Sequence, residues 1–176
     1  MEDFSALCLK RESCRDYKVK EVDEEIIKEI LKDALNAPSA CNSQPWHFYS
    51  VSKDNAKAFR KFIGDGLGII NGFCKNVQNF IVITETPAKL KPGVLGDKQK
   101  FAQMDIGEAT AYLTLSAKSK GVDSCIMGLF SEEKIKKFLE IPEEYKVRIV
   151  VALGYGVKEE PRPKQRKDFF EKVTLK

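Results

Sequence analysis

Two groups of residues in this chain could do binding chemistry, and they stand far apart in the sequence. The first is the stretch Pro38-Ser39-Ala40-Cys41-Asn42-Ser43-Gln44-Pro45-Trp46-His47-Phe48. Pro38 prevents a preceding helix from continuing and Pro45 pushes Gln44 toward an extended conformation, so a loop stiffened at both ends is expected. Between the prolines, Ser39, Asn42, Ser43 and Gln44 offer short side chains with both donors and acceptors, suited to the edge of a heteroaromatic ring such as a conjugated cofactor presents. The same composition serves an ordinary helix-to-strand connection in which Asn and Ser satisfy backbone groups; composition alone leaves both readings open. The second group is basic. Arg11, Ser13 and Arg15 occupy alternate positions, so in an extended stretch all three side chains can face one way, and Lys164 and Arg166 repeat that spacing near the other end. Guanidinium groups bind phosphate oxygens bidentately, with hydroxyl and ammonium donors assisting. Each cluster taken alone reads more commonly as a solvated face.

Other chemistries find less in the residues. With one histidine, His47, and no paired cysteines, a transition-metal site lacks its usual ligands, and no metal is expected. His47 stands beside Trp46 in a strand-like run and is read as structural. The five cysteines, Cys8, Cys14, Cys41, Cys74 and Cys125, are scattered and odd in number, which predicts free thiols; Cys41, in the candidate loop, could sensitise a site by oxidation. Gly64-Asp65-Gly66-Leu67-Gly68 has neither the Gly-Lys-Ser/Thr ending of a phosphate loop nor dinucleotide-fingerprint spacing, and reads as a turn region. The net charge is +4, but acidic residues are interleaved along the chain, so no nucleic-acid footprint is evident.

The elements that must position these residues follow from periodicity and caps. A first helix is expected from Asp3 to about Lys10. Asp23 reads as an N-cap, followed by Glu24 and Glu25 in the positive first turn and by Ile26, Ile27, Ile30, Leu31, Ala34 and Leu35 at helical spacing, to about Asn36. Trp46 to Ser52 reads as a strand and Asn55 to Ile63 as a helix. Phe80 to Thr84 reads as a buried strand, and Thr86 to Lys100 as a long loop. A core helix from about Phe101 to Lys120 should stop at Gly121, Ser124 to Leu129 is strand-like, Ser131 caps a short helix, and Val147 to Leu153 is a strand.

At 176 residues the chain suits one domain, 1–176, with a real core. Hydrophobic residues make up 43% and charged residues 32%, and no apolar run approaches the roughly 20 residues needed to cross a bilayer. The acidic opening Met1-Glu2-Asp3-Phe4 does not read as a secretory signal, so a cytoplasmic protein is expected. The alternation of strands and helices fits several arrangements and does not fix a topology.

Residues 38–46, read as Pro-Ser-x-x-Asn-Ser-Gln-Pro-Trp, resemble the pattern of the FMN-dependent nitroreductase family. Arg11-Glu12-Ser13-Cys14-Arg15-Asp16-Tyr17 resembles that family's Arg-x-Ser-x-Arg/Lys opening, and Gly154-Tyr155 with Pro161-Arg162-Pro163-Lys164-Gln165-Arg166 resembles its closing segment, in the same order along the chain. The resemblance implies an α+β fold, a mixed and largely antiparallel sheet flanked by helices, built as an intertwined homodimer in which residues 161–176 reach over the partner. Phe169, Phe170, Val173 and Leu175 on that tail are apolar groups that expect a surface to dock on.

By the same resemblance the cofactor is FMN. Arg11, Ser13 and Arg15, with Lys164 and Arg166, would hold its phosphate, and the paired basic pattern then outweighs the solvated-face reading. Pro38, Ser39 and Asn42 would contact the flavin bound mainly to the other subunit, and Asn71 would reach its pyrimidine edge. Ser124 to Phe130 would pass the reactive flavin nitrogen, with a backbone N–H from Gly128 or its neighbour Met127 as donor. No side chain is required as a catalytic residue, because the chemistry belongs to the flavin. The activity implied is transfer of reducing equivalents from NADH or NADPH through the flavin to a small acceptor such as a nitroaromatic or quinone. A flavin-binding redox sensor or carrier without turnover, and a reductive dehalogenase-like or enoate-type enzyme, are the alternatives. Two departures stand out: Glu12 occupies a position where many relatives carry a base, and the chain is short, so the Thr86 to Lys100 loop, with Lys89, Lys91, Lys98 and Lys100, is expected to form a basic substrate entrance.

Overall fold

The computed structural model describes residues 3–52, 54–64, 70–88, 99–158 and 160–176. Residues 65–68 of the glycine-rich turn and residues 89–98 of the expected entrance loop, Lys89, Lys91 and Lys98 among them, lie outside the described residues.

Four strands form one sheet. They are β1 (Trp46–Ser52), β2 (Asn79–Glu85), β3 (Asp123–Met127) and β4 (Lys146–Gly154), ordered β1-β2-β4-β3 with every neighbouring pair antiparallel. The helices are α1 (Phe4–Lys10), α2 (Glu24–Ala34), α3 (Asp54–Phe59), α4 (Ala102–Ser119) and α5 (Glu132–Leu139). A parallel element enters at one place: an isolated bridge pairs Ser13 with Ser124 on the outer edge of β3. The sheet is thus antiparallel with one parallel addition.

Side chains alternate across a strand, and here both faces are covered. From β2, Ile81 and Ile83 point with Val151 and Leu153 of β4 into a layer made by α2 and α4, where Ile27, Ile30, Ile106, Ala109 and Leu113 are buried. Phe80 and Val82 point with Val150 and Ala152 to the opposite layer, against Phe59 of α3 and Ile135 of α5. This explains why β2 reads as a continuous apolar run and is buried at all seven positions. The order of strands, which periodicity could not supply, puts short β3 at an edge.

Local signals are realised with informative differences. The Asp23 side chain caps α2 by accepting from the Glu25 N–H at 2.8 Å. Ser131 stands at the N-cap of α5, but its side chain makes no capping bond; the acidic Glu132 and Glu133 of the first turn complement the helix dipole instead. The helix expected over 55–63 is split into α3 and a tighter 3-10 turn at Arg60–Phe62. Two further 3-10 turns, Ala40–Asn42 and Gly72–Asn76, carried no periodic signal at all.

The end of α4 is fixed by Gly121 at φ 73°. Its N–H donates to the Lys118 carbonyl at 3.0 Å and the Val122 N–H to the Ala117 carbonyl at 2.9 Å, the two-bond arrangement that closes a helix and turns the chain into β3. Gly121→Ala is expected to destabilise the protein by about 1–2 kcal/mol, the cost of a Cβ in the left-handed region, measured as a lowered urea midpoint with unchanged m-value.

Candidate functional site

The edge of β3 organises the first half of the site. The Cys14 N–H donates to the Ser124 carbonyl at 2.9 Å, the Lys18 N–H to the Tyr155 carbonyl at 2.8 Å and the Val157 N–H to the Asp16 carbonyl at 3.0 Å, holding residues 13–18 extended. Cys14 and Tyr17 are buried, while Arg11, Ser13 and Arg15, which alternate with Cys14, stay accessible. The carboxyl-terminal segment lies across this run. Arg162 donates from Nε to Glu12 Oε2 at 2.8 Å and from a terminal nitrogen to the Ser13 carbonyl at 2.8 Å, and Lys164 Nζ donates to the Arg11 carbonyl.

The result is an open cleft of about 600 Å³ lined by Arg11, Glu12, Ser13, Arg15, Arg162, Pro163, Lys164, Gln165 and Arg166. All five residues expected to hold a phosphate are brought together, within a single chain. Glu12, a departure from the family's pattern, has a structural use: it receives Arg162 and so docks the ending on the opening. Burial alone would raise its carboxyl, but the Arg162 hydrogen bonds outweigh that and hold it below the usual carboxylate range. Arg162 is a functional residue that the sequence reading passed over, although it sits inside the closing motif.

The charge in this cleft is unbalanced. Among the described residues the only ion pair in the cluster is Arg162 with Glu12, which leaves Arg11, Arg15, Lys164 and Arg166 without a carboxylate. Burial first, and then the neighbouring Arg11 and Arg166, push the Lys164 ammonium below its ordinary range. Cations crowded in this way are stabilised by an anion with several oxygen acceptors.

The second half of the site is the loop after α2. It holds the 3-10 turn Ala40–Asn42, and three of its non-glycine residues have positive φ: Cys41 at 53°, Asn42 at 53° and Gln44 at 46°. Gln44 is therefore not extended as the following proline led us to expect. Its side-chain amide nitrogen bonds Asn42 twice, to the carbonyl at 3.3 Å and to Oδ1 at 3.0 Å, and its backbone N–H donates to Ser39 Oγ at 3.0 Å, which compensates the departure. Left-handed residues cost about 1–3 kcal/mol each and concentrate at ligand clamps. Pro38, Ser39 and Asn42 do not line the basic cleft; the structure keeps the two halves separate.

A third segment is the end of β3. Along β3, Gly128 lies four residues beyond the Ser124 bridge, about 13 Å away at roughly 3.3 Å per residue, and a Cβ on it would meet nothing within 4 Å. Met127 is buried, its sulfur 3.5 Å from Cys74 Sγ, so it can offer a ligand only backbone. Asn71, left-handed at φ 56°, spends its amide nitrogen on the Ile63 carbonyl at 2.7 Å and the Leu129 carbonyl at 3.0 Å. It supports the backbone just past Gly128, and its Oδ1 is the side-chain atom left for a ligand.

The thiols are free as expected. Burial pushes those of Cys14 and Cys125 up and that of Cys74 up to about 12, which makes these three inert. His47 is exposed on β1 with its ring 4.7 Å from that of Tyr49.

Comparisons with known proteins agree on the family. The family model described as "Nitroreductase family" matches residues 8–68 and 67–155. A relative in Archaeoglobus fulgidus, whose name pairs NADH dehydrogenase with NAD(P)H nitroreductase, is 31% identical over 176 residues, covering 97% of this chain and 91% of its own. A nitroreductase family protein from Streptococcus pneumoniae TIGR4 superposes with a TM-score of 0.84 at 20% identity, over 99% of this chain and 100% of that one. An FMN-dependent nitroreductase from Clostridium difficile R20291 does so with a TM-score of 0.77 at 26% identity, over 98% of both.

The unbalanced cleft predicts that inorganic phosphate or pyrophosphate stabilises the protein beyond chloride of equal ionic strength. At ten times its dissociation constant the gain is about 1.4 kcal/mol, or about 3–6 °C in melting temperature for a chain of this size. Arg11→Ala and Arg166→Ala should each abolish most of that rise in a thermal-shift measurement.

Proposed function

Because the chain belongs to the nitroreductase family, we propose that it is an FMN-dependent oxidoreductase that takes reducing equivalents from NADH or NADPH and delivers them to a small acceptor such as a nitroaromatic or quinone. The observation that carries this reading is the meeting of Arg11, Ser13, Arg15, Lys164 and Arg166 in one cleft with unbalanced positive charge. It is a match for a phosphomonoester. When bound, the flavin supplies the hydride chemistry, accepting from a nicotinamide and passing electrons on.

The residues of this chain bind and orient. Arg11 and Arg166 supply guanidinium forks, Ser13 a hydroxyl and Lys164 an ammonium to the phosphate. The backbone at Met127 and Gly128 offers an N–H to the ring's reactive edge, where it would favour charge on the reduced form. Pro38, Ser39 and Asn42 lie in the polar loop that would hold the ring. Since the loop stands apart from the phosphate cleft, we assign it to the flavin of a second copy, in a homodimer.

Unpartnered apolar surface supports that assembly. Helix α1 buries none of its residues, with Phe4 66% and Leu9 62% exposed, and α4 presents Met104 and Tyr112 outward beside its exposed N-cap residue Phe101. Residues 162–166 dock on their own chain, so the portion of 161–176 left to embrace a partner is the end carrying Phe169, Phe170 and Leu175, all exposed. No helix among the described residues is long and apolar enough to cross a membrane; we place the reaction in the cytoplasm, where nicotinamide nucleotides are at hand.

The purified protein should be yellow and release FMN on denaturation, and anaerobic NADH or NADPH should bleach it, with an added acceptor restoring the colour over repeated cycles. A colourless protein that takes up no FMN would sink the proposal, and one bleached once without turnover would make it a carrier. Arg11→Ala or Arg166→Ala should weaken FMN binding about ten- to a hundredfold, the loss of one charge-assisted contact, read by fluorescence titration of apoprotein. Truncation after Gly156 should lose both dimer and flavin; a monomer that still holds FMN would overturn the assembly.

A further inference from the structure

Among the described residues, one side chain from outside the strained loop over residues 39–44 hydrogen-bonds it. Asp105 lies in the first turn of α4, 5% exposed, and its Oδ1 accepts from the Ala40 N–H at 3.2 Å. Its other oxygen, Oδ2, is buried with no hydrogen-bond partner among the described residues. A buried carboxylate that satisfies only one oxygen is a poor contributor to folding. The loop it touches needs anchoring, because three left-handed non-glycine residues within four positions persist only where surrounding contacts fix them. The other hydrogen bonds of the turn among the described residues are local, from Gln44 to Ser39 and Asn42, from the Asn42 N–H to the Ser39 carbonyl at 2.9 Å, from the Ser43 N–H to the Ala40 carbonyl at 3.0 Å and from the Trp46 N–H to the Gln44 carbonyl at 2.8 Å.

We infer that Asp105 is a positioning residue for the cofactor: through the Ala40 N–H it fixes the Pro38–Asn42 loop in the conformation that receives the flavin ring, at a cost to the stability of α4. This rests on the oxidoreductase reading and deepens it, since it gives the ring end of the site a determinant 65 residues away in sequence from its contact. The geometry separates ring from phosphate: Asp105 acts on a loop that does not line the basic cleft. Removing it should therefore weaken riboflavin and FMN by the same factor, whereas removing Arg11 weakens FMN alone.

The test compares Asp105→Ala, Asp105→Asn and Ala40→Pro in the full chain. The asparagine keeps an oxygen for the Ala40 N–H. The proline deletes that donor from the loop side, at the first residue of a 3-10 turn where its fixed φ is tolerated, and keeps the idea testable if the alanine variant fails to fold. Asp105→Ala and Ala40→Pro should each raise the dissociation constants of FMN and riboflavin about tenfold, the loss of one hydrogen bond to a charged group, with Asp105→Asn within about threefold of the parent. In the apoprotein, hydrogen exchange over residues 41–46 should accelerate in both disruptive variants, while the melting temperature of Asp105→Ala stays level or rises. A fall in melting temperature with exchange unchanged at 41–46 would make Asp105 an ordinary core residue and overturn the inference, as would unaltered flavin affinity. If the parent binds no flavin, the oxidoreductase reading fails on its own, and hydrogen exchange still decides the role of Asp105.

Discussion

The pairing of residues 13–18 with the outer edge of β3 and the end of β4 is the contact on which the site depends. It is made of few bonds, chiefly Cys14 to Ser124, Lys18 to Tyr155 and Val157 to Asp16, yet it covers an edge that would otherwise expose unpaired backbone. Tyr17, 1% exposed, is driven under Gly154, where a Cβ would come within 2.9 Å of its ring, so only glycine lets the segment sit this close. Once the run is extended and in this register, its arginines project outward without further instruction. The chain's ending then has a fixed anion and carbonyl row to meet, in Glu12 and the carbonyls of Arg11 and Ser13.

That arrangement explains an apparent contradiction in the charge pattern. Glu12 subtracts from the positive field that a phosphate would seek, and in the sequence it looks like a weakness. In the fold it converts Arg162 from one more repelling cation into the clasp that brings Lys164 and Arg166 alongside Arg11. Without a clasp, the mutual repulsion of these groups would favour a detached ending, because exposed like charges a few ångströms apart repel by about 1 kcal/mol even in water. One negative charge placed at the base of the cluster makes the rest of it possible.

Much of this was legible in the residues, for identifiable reasons. The strands over 46–52 and 147–153 and the long helix to Gly121 are signalled by period and by a cap, which are local properties. The basic alternation of Arg11, Ser13 and Arg15 was legible because an extended backbone has a period of two. What local reading missed depends on contacts far apart in sequence: the strand order, the Arg162–Glu12 clasp across 150 residues and the Asp105–Ala40 tie. The conformation of Gln44 was misjudged because the steric bias set by Pro45 is small beside the three hydrogen bonds that Gln44 makes in its left-handed form. Asp105 itself gave no signal, since an aspartate in the first turn of a helix is what the dipole favours on any surface helix.

The two halves of the site therefore rest on different physics. The basic cleft is electrostatic, assembled from long flexible side chains around a single carboxylate, and so its grip on any anion must weaken as salt screens it. The 39–44 loop is conformational, a short segment held in a high-energy shape by hydrogen bonds and one buried carboxylate, with little charge for salt to act on. In the proposed reading both ends would contribute to flavin affinity, the cleft through charge and the loop through shape. The cleft's share would then fall as salt rises while the loop's would persist, and the loop would also set how the ring is presented to whatever approaches its open face.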